Sequence, residues 1–70
     1  MYYFIINQNA DENGRNEIHN FFVCEHLPAS HNRITLGWFT SEYEALQYAR
    51  CNGFPNADGC YYCCNNIHHG

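Results

Sequence analysis

Three of the five cysteines in this 70-residue chain fall within Cys60-Tyr61-Tyr62-Cys63-Cys64. The Cys60-x-x-Cys63 spacing lets both sulfurs meet one cation from a single tight turn, and a second pair of ligands elsewhere would close a tetrahedral site. A chain this short buries a core worth roughly 3–5 kcal/mol net and commonly adds a staple, of which structural zinc is one. The start, Met-Tyr-Tyr-Phe-Ile-Ile, has no basic residue, and its apolar run is too short for a signal peptide. A cytoplasmic chain with reduced thiols is the expectation. There, an odd cysteine count with clustered thiols favours metal over disulfides.

Composition narrows the partners. The chain has no Lys and three Arg (Arg15, Arg33, Arg50) against seven acidic residues, a formal charge of −4. Phosphate-backbone binding needs clustered positive charge, so a nucleic-acid role is disfavoured. No apolar run reaches the roughly 18 residues of a membrane span. With 17% aromatic residues the chain is expected to fold, as a single zinc-binding domain over residues 1–70.

The pattern along the chain reads as α+β: a small three-stranded antiparallel sheet, one helix and a C-terminal zinc knuckle. Tyr2 to Asn7, aromatic and β-branched, reads as a strand. Asn13-Gly14 suits a type I′ hairpin turn, and Glu17 to about Phe22 reads as the return strand. With Asn13-Gly14 as the loop, Phe4 and Ile6 share a face with Phe21 and Val23, and Tyr3 and Ile5 share the other with Phe22. Arg33 to Phe39 reads as the third strand, with Gly37 marking a bulge or a close approach. Ser41-x-x-Glu44 is a capping box opening a helix whose apolar stripe is Ala45, Leu46 and Ala49. Gly53 suits the left-handed residue after that helix, and Pro55 bars its continuation. Asn56 to Gly70 reads as turn and metal knuckle.

Cys60 and Cys63 are the leading metal ligands, and Cys24 is the next candidate. Its alternative is a small buried hydrophobe. His19, His26 and His68 compete for the fourth position, and Cys64 is a possible extra ligand or a core residue. Cys51, in the last helical turn, reads as core. His19 and Cys24 carry a geometric condition. In a regular strand an offset of five residues puts them on opposite faces, about 16 Å apart. Tetrahedral ligand atoms lie within about 4 Å of one another. The strand must therefore end or bulge between Asn20 and Val23 if both bind one ion.

The order His19…Cys24, Leu27-Pro28, Leu36-Gly37-x-Phe39, Ser41-x-x-Glu44-Ala45-Leu46, Gly53-Phe54, Cys60-x-x-Cys63 resembles the small zinc-binding module of the Ada DNA-alkylation-response protein. It is still more similar to the His/Cys variants of that module in small bacterial proteins. The resemblance covers roughly residues 17–64 and implies a zinc-binding fold with His19, Cys24, Cys60 and Cys63 as ligands. Two departures limit what it carries. His19 stands where the Ada module has its methyl-accepting cysteine, and a neutral imidazole lacks the thiolate nucleophile that methyl transfer needs. The gap between the first two ligands is four residues rather than three.

The expected function is a non-catalytic zinc-binding module, its four ligands leaving no open position for water. It would serve as a protein-interaction or accessory protein, and the exposed hairpin makes a homodimer possible. The alternatives are a thiol redox or metal-handling protein using Cys60-x-x-Cys63, and a catalytic zinc site with three protein ligands.

Overall fold

A computed structural model describes residues 1–70. Its elements are β1 (Tyr2–Asn7), β2 (Asn16–Asn20), β3 (Arg33–Phe39), α1 (Glu42–Cys51) and β4 (Ala57–Gly59), with short 3₁₀ turns at Ser30–Asn32 and Asn65–Ile67. The architecture is α+β, with α1 packed on one face of a four-stranded sheet of order β3-β1-β2-β4. The expected sheet is corrected on two points: it has four strands rather than three, and it is mixed, because β4 pairs with β2 in parallel. Ala57-Asp58-Gly59 is too short and too poor in strand formers to announce itself. It pairs because the free edge of β2 offers unpaired backbone groups, and the ladder continues through Cys60 N–H donating to Ile18 O.

The first hairpin turns differently from expectation. Gly14 has φ +79° and no non-glycine residue has positive φ, so Asn13-Gly14 is not a type I′ turn. Asp11 and Arg15 instead bracket a three-residue loop: Asp11 N–H donates to Arg15 O at 2.8 Å, and Asp11 Oδ1 accepts from the amides of Asn13 and Arg15. Phe4 then pairs with Asn20 rather than Val23. An odd slip moves every side chain of the return strand to the other face. Ile18 joins Phe4 and Ile6 under the helix, and His19 pairs with Ile5 on the face away from it. The return strand also stops at Asn20, two residues short of Phe22.

The third strand and the helix follow the pattern. Pairing between β1 and β3 shifts register after Phe4, which faces Gly37 while Ile5 faces Thr35. This leaves Leu36 as the bulged residue beside Gly37 at φ +119°. Ser41 Oγ accepts from Glu44 N–H, as a capping box requires, but the Glu44 carboxylate accepts from the Thr40 amide and hydroxyl rather than from Ser41. That bonding holds the Glu44 carboxyl below the usual carboxylate range. Gly53 (φ +100°) ends the helix, and Phe54 N–H reaches back to Ala49 O at 3.0 Å.

The core under the helix unites Phe4, Ile6 and Ile18 of the sheet with Ala45, Leu46 and Ala49 of α1, and the tail contributes Cys64 and Ile67. Cys64 is fully buried there, packing against the helix side. Cys51, expected in the core, is exposed. The buried stripe of α1 is Ala45, Leu46 and Ala49, and Cys51 lies off that face.

Candidate metal centre

The ligand atoms of His19, Cys24, Cys60 and Cys63 all lie within 4.8 Å of one another. Two separate turns bring them together. The first follows β2, where Val23 N–H and Cys24 N–H both donate to Asn20 O, folding residues 20–24 into one tight turn. The strand therefore ends within the interval that the His19–Cys24 spacing demands, and Cys24 Sγ returns to 3.6 Å from His19 Nδ1. The second follows β4, where Cys64 N–H donates to Cys60 O and closes the Cys60-x-x-Cys63 turn. Since Ile18 pairs with Gly59, continuing the parallel register by one residue sets Cys60 beside His19.

Gly59 holds the second turn against the core. A Cβ on it would meet Cys64 O at 2.3 Å and Ile67 Cγ1 at 2.5 Å, so only glycine allows the 3₁₀ turn after the knuckle to close over β4.

Two of the separations are those of a tetrahedral shell. Zinc bonded to sulfur at about 2.3 Å and to nitrogen at about 2.0 Å sets ligand atoms roughly 3.5–3.8 Å apart. Here Cys24 Sγ is 3.6 Å from His19 Nδ1 and 3.9 Å from Cys60 Sγ. Backbone amides are aimed at the sulfurs: Asn20 N–H donates to Cys63 Sγ at 3.2 Å, and His26 N–H to Cys24 Sγ at 3.3 Å. Such bonds favour thiolates, as a cation-binding site requires.

Without a cation, burial opposes ionisation. His19, 2% exposed, is held neutral, its pKa lowered to about 4 by burial, with help from Arg33 and His26. Burial also pushes the Cys24 thiol up and the Cys60 thiol up to about 12. Cys63 is raised by its contact with Cys64 and then by burial. A bound dication offsets the cost of three buried thiolates, and a neutral imidazole is the form that ligates. The residues present fit a cation of zinc type.

The rival ligands are placed elsewhere. His68 Nδ1 lies 2.9 Å from Gly59 O, and the His26 ring stacks on Tyr62 at 3.9 Å between centroids. Cys64 Sγ is 3.6 Å from Cys63 Sγ but belongs to the core under the helix. Glu17, which reads from the sequence as solvated surface, instead brings its Oε1 to 3.9 Å from His19 Nε2. Strand alternation could have found it, since residues two apart in β2 share a face. A cleft of about 240 Å³, lined by Val23, Cys24, Glu25, His26, Tyr62 and Cys63, opens onto two of the thiols.

Beside the centre the same face carries an aromatic cluster. Tyr3 packs against Trp38, Phe21 and Phe22 at centroid distances of 5.1, 5.8 and 6.0 Å. Arg33 lies over the Phe21 ring and donates to Pro28 O. Phe22 and Trp38 are largely exposed. No helix is long and apolar enough to cross a membrane. Comparison with protein-family models, with curated proteins and with solved structures finds no match for the chain.

Proposed function

We propose that the chain is a non-catalytic zinc module in which the ion ties the end of β2 to the C-terminal tail. The observation that carries this reading is the convergence of one imidazole and three thiols within 4.8 Å. Three sulfurs and one nitrogen suit Zn²⁺ among common cations, because calcium and magnesium prefer oxygen ligands. Four protein ligands fill a tetrahedral shell and leave no position for a reacting water, so the role of the ion is structural. The similarity to the His/Cys variants of the Ada-type module belongs to the same reading, without methyl transfer. We place the chain in a reducing, cytoplasmic setting. The aromatic face of Tyr3, Phe22 and Trp38 is the surface for a protein partner.

Native mass spectrometry of the purified chain, with and without a strong chelator, tests the proposal. One zinc per chain, removed only by the chelator, is the expected result. A metal-free protein containing a reversible Cys60–Cys63 disulfide overturns it in favour of a redox dithiol. Redox thiols have depressed pKa values, and here burial raises that of Cys60 to about 12.

A further inference from the structure

The largest cleft in the molecule, about 440 Å³, lies away from the metal centre, at the start of β4 and the tip of the first hairpin. Two of the chain's three arginines, Arg15 and Arg50, line it, together with Asn13, Asn56 and His69. Arg50 has no carboxylate within 4.0 Å in a chain with seven acidic residues; its one bond is from Nη2 to Ala57 O at 3.3 Å. The side chains of Asn13, Asn56 and His69 make no hydrogen bond within the protein, so their donors are free.

The only carboxylate in the lining is already occupied. Asp58, 4% exposed, accepts from the amides of His69 and Gly70, and its Oδ2 also lies 3.5 Å from Arg15 Nη1 and 3.7 Å from His68 Nδ1. The cleft therefore offers donors in excess and no unsatisfied anion. A guanidinium presents five N–H donors in a planar fork suited to phosphate and carboxylate oxygens. Arg50 uses one of its five on Ala57 O.

We propose that this cleft binds a small soluble phosphate monoester, its dianion paired with Arg50 and reached by the donors that Arg15 does not direct at Asp58. The volume lies within the range of small-ligand sites and leaves room for a compact organic group beyond the phosphate. The site is independent of the metal reading, sharing no residue with the four converging donors.

Titration of the zinc-loaded, full-length chain with glycerol phosphate, followed by ¹⁵N amide shifts, tests it. Saturable shifts at Gly14, Arg15 and Ala57 are expected. Arg50→Gln should weaken binding by about tenfold, the scale of one charge-assisted pair. Ser30→Asp makes the same change in net charge at an exposed position outside the cleft and should leave affinity within about twofold. Equal losses in the two variants, or shifts that never saturate, reduce the effect to general electrostatics and overturn the site. Vesicles of phosphatidylcholine containing phosphatidate separate the sources of the phosphate. Capture by the vesicles without binding of glycerol phosphate overturns the soluble ligand.

Discussion

His19 shows how one side chain serves two demands. Burial holds it neutral down to about pH 4, so it is ready to ligate across the physiological range, whereas the three thiols lose protons only to a cation. Zinc binding at pH 7 is therefore expected to release three protons, none from His19. The logarithm of the apparent affinity should fall by about three per unit as pH drops from 7 to 5, and more steeply below pH 4, where His19 also competes. Calorimetry in buffers of different ionisation enthalpy measures the proton count; four released at pH 7 would contradict a neutral His19. Cys24→Ala or Cys60→Ala should lower 1:1 zinc affinity by more than about 100-fold, exceeding what loss of an outer-shell partner costs. Cys51→Ser, on the exposed helix end, should leave the affinity unchanged in the same chelator competition.

Among the elements, the short tail strand is the hinge of the design. β4 delivers Cys60 only because Gly59 lets the 59–67 segment fold against itself. Gly59→Ala is expected to cost about 2–3 kcal/mol, since the added methyl meets backbone as well as side chain. It should also weaken zinc binding by displacing Cys60. Ser41→Ala removes the hydroxyl that accepts the Glu44 N–H hydrogen bond at the helix start and should cost about 1 kcal/mol in urea unfolding, with zinc affinity intact. The contrast separates an element that builds the centre from one that only supports the core. Helix α1 was legible because cap, stripe and stop signals agree over residues 41–53. β4 was not, because three residues of low strand propensity owe their conformation to a neighbour.

As a whole, the molecule has two halves with different anchors. The helix-side core holds Phe4, Ile6, Ile18 and the α1 stripe, whereas on the far face the turn after β2 and the knuckle meet at the converging donors. Chelation should loosen the second half first. Hydrogen exchange is expected to show early loss of protection at the amides of Cys24, Cys60 and Cys64, while the amides shared by β1 and β3 persist. Uniform loss across the chain would mean that both halves depend on the ion.

Local chemistry was enough to specify the helix and its ends, the strand over Arg33–Phe39 with Gly37 as either a bulge or a close approach, and the need for β2 to end before Cys24 if His19 and Cys24 were to meet. These depend on periodicity, capping and covalent reach, which act over a few residues. Sheet register, the parallel β4 and the choice of His19 over His26 and His68 for the converging group were decided only in three dimensions. A three-residue slip at a hairpin costs little locally, yet it exchanges both faces of the strand, and only the burial of Ile18 under the helix selects between the two outcomes.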